Sequence, residues 1–172
     1  MNSQTQHYFN RAQSIVNRLM PAELHREKRH TRSLIAVAAL FTGCEQYSSK
    51  DQAQIVVDLF ENNKSFEKFF TVSGSYQLCD EMNEELKYRV KDNDAGDVLL
   101  EKNRLIATIR EDVDPQRLSE VIELAQRLVG DDTLGHQSSY ISKDLLVQLK
   151  KTLGVGDTAK PASNEPHTAE QA

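Results

Sequence analysis

Residues 34–60, LIAVAALFTGCEQYSSKDQAQIVVDLF, decide the fold that we predict for this chain. An apolar run reaches Gly43, a short polar loop follows, and Ser-Lys-Asp at residues 49–51 opens a second amphipathic run. Residues 121–153 repeat this order, with an apolar run, a glycine, a polar loop and then Ser-Lys-Asp at residues 142–144. The two stretches predict a bundle that contains two pseudo-repeated helix–loop–helix units.

Helical periodicity extends through most of the chain. Apolar residues recur at steps of three and four in residues 6–19, 76–90 and 98–109, as they do on the buried face of a helix. Residues 34–41 are apolar on nearly every side, so we expect this helix to cross the middle of the bundle. Residues 91–97 predict a turn-rich loop, and no segment alternates as a strand does. The sequence therefore predicts an all-α, compact helical bundle of seven to nine helices.

Several residues predict where helices begin and end. Gly43, Gly130 and Gly154 each follow an apolar run, as C-terminal glycines do. Gly74 predicts a break between two helices. Asp114, followed by a proline, predicts a helix start.

Length and composition predict one domain and restrict its partners. The 172 residues support a single core, which we place in residues 1–154, and we expect the polar residues 155–172 to form a disordered tail. A net charge of −5 argues against binding to polyanions over the whole surface. An aromatic share of 6% without Trp argues against a stacking platform for single-stranded nucleic acid.

The chain has two cysteines, Cys44 and Cys79, which lack the Cys-x-x-Cys spacing of a metal or redox site. Separated thiols of this kind are typical of reduced cytoplasmic proteins. The N-terminal residues lack the apolar segment of a signal peptide. The longest apolar run is far shorter than the ~20 residues of a membrane-spanning helix. We therefore expect a soluble, cytoplasmic protein.

Acidic residues gather at both inter-helix loops. The second loop carries Asp131 and Asp132 and is followed by Asp144, and the first offers Glu45 and Asp51. Carboxylates suit hard cations, so these residues are candidate ligands of Ca²⁺ or Mg²⁺. Their spacing does not match an EF-hand, and the same residues also fit helix caps and a solvated loop. Both interpretations stay open.

A basic run, HREKRHTR, covers residues 25–32. In a helix, Arg26, Arg29 and Arg32 lie on one side, where they form a candidate anion-binding site for phosphates or an anionic membrane surface. A solvated charged face is the alternative interpretation.

No arrangement of catalytic type accompanies these features. The five histidines show no His-x-x-x-His spacing, and Cys44 fits an ordinary small buried residue. A hydrolase would need a pocket that gathers His136 with carboxylates. The sequence leaves enzymatic activity open and favours a non-enzymatic role.

Set side by side, the two loops and their flanking helices resemble the TerB-type tellurite-resistance family over about residues 30–154. The likeness rests on IAVAALF at residues 35–41, IVVDLF at residues 55–60 and the ending Lys-Thr-Leu-Gly-Val at residues 151–155. The family loop typically reads Ser-Asp-Gly-x-Ser-Ser-Glu-Glu, and this chain has Glu-Gln at residues 45–46 in place of its Asp-Gly.

The resemblance implies an all-helical bundle of two related halves with acidic, metal-associated loops. It also implies a setting in tellurite resistance, stress response or phage defence, with membrane-associated partners. By the same likeness, Asp131, Asp132 and Asp144 form the better metal site, and Glu45 and Asp51 form the weaker one.

We therefore expect a non-enzymatic helical interaction protein that binds a protein partner and whose helix geometry is tuned by a divalent cation. The alternative is a nucleic-acid-associated or oligomerising helical factor that uses residues 25–32. Nucleic acid is the less expected partner, and a homo-oligomer stays open.

Overall fold

A computed structural model of the chain describes residues 21–44, 50–92, 95–130 and 140–155. Within these residues the structure contains seven α-helices, one 3₁₀ turn and no strand, which confirms the predicted all-α bundle. The helices are α1 (Ala22–Gly43), α2 (Lys50–Glu61), α3 (Lys64–Glu67), α4 (Val72–Asp92), α5 (Ala95–Asp112), α6 (Leu118–Val129) and α7 (Tyr140–Thr152), with the 3₁₀ turn at Pro115–Arg117 between α5 and α6.

The predictions for residues 6–19 and for most of the C-terminal tail fall on parts of the chain outside these ranges. Both inter-helix loops, residues 45–49 and 131–139, also lie outside the described residues. Among the helices that the structure describes, none has the length and apolar character needed to cross a membrane.

The second half of α1 lies at the centre of the bundle. Every residue from Leu34 to Phe41 is 4% exposed or less. The helix packs against α4, α5 and α6, which together surround it. A helix that is apolar on nearly every side can lose contact with water only if it has neighbours all round. The prediction of a central, buried helix is confirmed.

The other helices each add an apolar face to the same core. The largest buried side chains outside α1 are contributed by α2 to α7: Phe60, Phe66, Leu86, Leu105, Ile109, Leu128, Leu145 and Leu149. The two predicted helix pairs correspond to α1 with α2 and α6 with α7. The α2 helix packs against α6 and α4, and α7 packs against α6 and α5. Contacts of both α1 and α2 with α6 therefore join the two units.

Gly43 is the last residue of α1, as predicted, but for a different physical reason. Of the glycines that the structure describes, Gly130 and Gly154 have positive φ, at 81° and 73°, as expected of residues that end helices. A Cβ atom on Gly43 would lie 3.0 Å from Asn83 Cβ and 3.1 Å from Leu86 Cδ2. The glycine allows α1 and α4 to approach each other closely.

Two predicted helix boundaries are wrong. Gly74 lies in the first turn of α4, where its N–H donates to Thr71 Oγ1 at 3.0 Å, so the helix begins before the glycine. Residues 95–97 belong to α5, which leaves residues 93–94 between α4 and α5 instead of the predicted loop over residues 91–97. A side-chain cap, together with the continuation of the flanking helices, outweighs the weak local preference of Gly, Asn and Asp for turns.

We expect Gly43→Ala to destabilise the protein by about 1–3 kcal/mol, because the added methyl group meets Asn83 and Leu86 in a packed core. Urea denaturation of the variant measures this change in the free energy of unfolding. Leu86→Ala provides the matched background, since it removes the two Leu86 atoms nearest to the new methyl group. If the cost of Gly43→Ala were the same in both backgrounds, the close approach to Leu86 would not be its cause.

Candidate functional site at a charged junction

Charged side chains gather where the first half of α1 meets the end of α5 and the beginning of α6. We call this cluster the charged junction. Its members come from α1, from the end of α5, from the 3₁₀ turn with its cap, and from α6: Arg26, Glu27, Arg29, His30, Arg32, Asp112, Asp114, Arg117 and Glu120. The basic run of residues 25–32 therefore faces the carboxylates of a segment 80 or more residues away in the sequence.

Asp112 is the main anchor of α1 at this junction. Its side chain is only 8% exposed. Arg29 Nε donates to Asp112 Oδ1 at 3.1 Å, and Arg32 Nη1 donates to Asp112 Oδ2 at 3.0 Å. Arg29 also donates to the backbone carbonyl of Glu111. Both oxygens of a largely buried carboxylate thus accept charge-assisted hydrogen bonds, which are stronger than neutral ones.

Asp114 caps the turn that leads into α6. Its Oδ1 accepts the N–H of Gln116 at 3.0 Å, and its Oδ2 lies 3.6 Å from Arg26 Nε. The predicted helix start at Asp114 is confirmed, although the first turn is a 3₁₀ turn. The same carboxylate therefore caps the start of the 3₁₀ turn and also contacts Arg26 on α1.

The three arginines of the predicted anion site lie on one side of α1, as the spacing predicts. Arg26, Arg29 and Arg32 are each about half exposed. Each one contacts a carboxylate of this chain, either Asp112 or Asp114, so an external phosphate would have to compete with these internal partners. Their binding to an anion stays a prediction.

His30 is the fully buried member of the junction. The Asp114 N–H donates to His30 Nδ1 at 3.3 Å, and His30 Nε2 lies 3.4 Å from Glu120 Oε2. Because Nδ1 accepts a hydrogen bond, the proton of the neutral ring belongs on Nε2, from which it is donated to Glu120. The ring links α1 to both sides of the 3₁₀ turn.

Burial lowers the pKa of His30 below its usual 6.5, and the nearby Arg117 guanidinium lowers it further, while Glu120 and Asp114 act in the opposite direction. Arg117 donates to both oxygens of Glu120 at 2.7 Å. These bonds hold the pKa of the Glu120 carboxyl below its usual value. The junction therefore favours a neutral histidine beside an ionised, arginine-bound glutamate.

The candidate metal ligands are only partly covered by the described residues. Asp131, Asp132 and Glu45 lie outside them. Asp144 is exposed on α7, where its Oδ2 accepts a hydrogen bond from Gln148 at 2.9 Å, and Asp51 is exposed in the first turn of α2. Throughout the described ranges, no three His, Cys, Asp or Glu side chains are grouped so that they could hold a metal ion. The cation site stays a prediction.

Both cysteines are buried and form no disulfide with each other, as expected of ordinary core residues. Burial raises the pKa of the Cys79 thiol to about 12, so this residue is a poor nucleophile at neutral pH. His136, which a hydrolase site would have required, lies outside the described residues.

A second surface feature is the outer face of α5, formed by Leu99, Leu100, Asn103 and Ala107. These residues follow at helical spacing, and all are exposed, Leu99 at 51% and Leu100 at 63%. The opposite side of α5 carries the buried Leu105 and Ile109. None of these four residues is charged, and the exposed Arg104 and Arg110 border them, at four positions after Leu100 and three after Ala107. A solvent-facing helix surface is normally polar or charged.

The sequence contains one signal that His30 is buried, which the predictions from helical periodicity do not include. His30 lies four residues before Leu34, and therefore on the same side of α1 as a core residue. No pattern of neighbouring residues in the sequence predicts that α1 contacts Asp112, Asp114 and Glu120. Nothing in the sequence showed that the outer face of α5 would lack a covering helix among the described residues.

Comparisons with protein-family models, with curated proteins and with solved structures found no match to this chain.

We expect Asp112→Asn to destabilise the protein by about 1–3 kcal/mol, because Arg29 and Arg32 both lose a charged acceptor in a largely buried position. Thermal or urea unfolding measures the change. Asp144→Asn is the matched control, since it makes the same chemical change at an exposed residue and should alter stability by less than about 0.5 kcal/mol. Equal effects of the two substitutions would contradict the anchoring role of Asp112.

Proposed function

We propose that this chain is a non-enzymatic helical interaction protein that binds a protein partner through the outer face of α5. The resemblance to TerB-type proteins supplies the proposed setting, which is tellurite resistance, stress response or phage defence with a membrane-associated partner. The cation predicted at Asp131, Asp132 and Asp144 is the proposed regulator of helix geometry near α7. The adjacent exposed leucines on the outer face of α5, Leu99 and Leu100, are the observation that carries the proposal.

Leu99 and Leu100 are adjacent and exposed to water, so their burial by a partner would contribute free energy to binding. Full burial of one leucine side chain contributes about 1.5–3 kcal/mol. Asn103 supplies a hydrogen-bond donor and acceptor, and the small side chain of Ala107 allows a partner to approach the helix backbone. A partner with an apolar helix or an apolar groove fits this surface.

The alternative role in nucleic-acid binding is less well supported. It relies on Arg26, Arg29 and Arg32, which contact Asp112 and Asp114 within the chain. Two carboxylates beside these guanidinium groups repel an approaching phosphate, and the chain as a whole carries a net charge of −5.

We expect Leu100→Asp to weaken partner binding by about tenfold or more, because it places a charge in the proposed apolar contact and loses the burial of a leucine. Tagged wild-type and variant proteins are compared by quantitative co-purification from the native cell and by sedimentation velocity. Val147→Asp on α7 is the matched control, since Val147 is 62% exposed and Leu100 is 63% exposed.

In this experiment, Leu100→Asp should lose partners that Val147→Asp retains, with both variants as stable as the wild type. A concentration-dependent mass that only Leu100→Asp abolishes would identify the partner as a second copy of the chain. Retention of every partner by Leu100→Asp would contradict the proposal.

For the cation, we expect metal-stripped protein to melt several degrees higher in millimolar Ca²⁺ or Mg²⁺. A ligand at about 100 times its Kd adds about 2.7 kcal/mol to the stability of the native state. Asp132→Ala should abolish the shift, whereas Asp92→Ala, a change at an exposed residue on α4, should leave it intact. An unchanged melting temperature for the wild type with either ion would remove the cation from the proposal and leave the role of α5 standing.

A further inference from the structure

The His30 ring holds the junction between α5 and α6 through both of its nitrogens. Nδ1 accepts the backbone N–H of Asp114, which precedes the 3₁₀ turn, and Nε2 faces Glu120 on α6, which follows it. The ring itself is fully buried on α1. One side chain of α1 therefore has a partner on each side of the 3₁₀ turn.

This arrangement accepts only the neutral ring. A proton added to Nδ1 converts that atom from an acceptor into a donor. It then points at the Asp114 N–H, which is also a donor, so the hydrogen bond is lost and two positive hydrogens face each other. The Asp114 N–H has to find water or another acceptor, which it can do only if the turn moves away from α1.

The charges around the ring do not compensate for an added proton. The four carboxylates of the charged junction each have a cationic partner: Asp112 with Arg29 and Arg32, Asp114 with Arg26, Glu120 with Arg117 on the 3₁₀ turn, and Glu27 with Lys68, which follows α3. A protonated His30 would add one more cation to a cluster in which the carboxylates are already paired. Arg117 in particular disfavours it.

The turn can open without disrupting the core. Pro115, Gln116 and Arg117 are all described, and none of the three is buried. The next helix stays attached through its own buried residues, including Val121, Leu124 and Leu128. Release of the turn therefore exposes little apolar surface, and its free-energy cost can be much smaller than that of global unfolding.

We propose that His30 is a proton-operated latch: protonation of its ring releases the 3₁₀ turn from α1, while α6 and the rest of the bundle stay folded. The latch would change the shape of this end of the protein in response to acid. It is separate from the outer face of α5 and does not depend on the function proposed for that face.

The pH dependence has a definite sign. Since the closed junction lowers the pKa of His30, the open form takes up a proton first as the pH falls below 6.5. Opening then becomes about tenfold more favourable per pH unit, until the pH reaches the lowered pKa of the closed form. Glu120, whose pKa is lowered from 4.5, has the same sign but acts at lower pH. The window between pH 6.5 and 4.5 therefore reports His30.

Amide hydrogen exchange of the full chain, followed by NMR from pH 7.5 to 5, tests the latch. After correction for intrinsic exchange rates, the Asp114 and Arg117 amides should lose up to about tenfold protection per pH unit below 6.5, and the core amide of Leu40 should not. His30→Gln should remove this dependence because an amide does not titrate. His25→Gln, at an exposed residue of the same helix, should retain it.

A second measurement on the wild type keeps the test decisive if His30→Gln fails to fold. The ring resonances of His30 should titrate with the same midpoint as the change in Asp114 protection. The proposal would be overturned if His30 titrated while Asp114 kept its protection. Loss of protection by Leu40 in step with Asp114 would also overturn it, because the junction would then open only with the whole fold.

Discussion

The burial of α1 on all of its sides is the constraint on which the rest of the structure depends. The segment from Leu34 to Phe41 offers no face that favours water, so α4, α5 and α6 have to surround it. The alanines within that segment keep the helix thin, and Gly43 at its end removes the last side chain that would hold α4 away. Close packing of this kind allows little change in volume at any of these residues.

The first half of α1 remains attached to the bundle by polar contacts. His30, Thr31 and Ser33 are all buried, and each takes part in a hydrogen bond: Thr31 donates to the Glu27 carbonyl, Ser33 donates to the His30 carbonyl, and the His30 ring accepts from Asp114. Buried polar groups are tolerated when they are bonded in this way. Apolar packing supplies most of the free energy that holds α1 in place, and the directional bonds to Asp112 and Asp114 fix how far it extends along α5.

Features that depend on neighbouring residues could be predicted from the sequence. The apolar run to Phe41 identified the central helix, Asp114 identified the cap, and Gly130 and Gly154 identified two helix ends. The break predicted at Gly74 is wrong because the Thr71 cap, which starts α4 earlier, outweighs one glycine.

The charged junction could not be predicted in the same way. The bonds from α1 to Asp112, Asp114 and Glu120 join residues 80 to 90 positions apart, and the periodicity of a single sequence carries no information on such pairs. The run of residues 25–32 by itself therefore predicts a solvated face or an anion site, and the structure adds that its three arginines contact carboxylates of the same chain. The acidic loop residues Asp131 and Asp132 lie outside the described ranges, so the structure adds nothing to what the sequence predicted for them.

The central position of α1 has a consequence during synthesis on the ribosome. The helix is made before α4, α5 and α6, and these partners that bury it end at Val129, 88 residues after Phe41. At the usual translation rate of 5–20 residues per second, synthesis of α6, the last helix that buries the apolar segment, is complete roughly 4 to 18 s after Phe41 is added. During that interval an eight-residue apolar stretch is exposed on the nascent chain, where it can be bound by chaperones or can aggregate. The apolar segment that forms the centre of the folded bundle therefore makes the incomplete chain prone to aggregation.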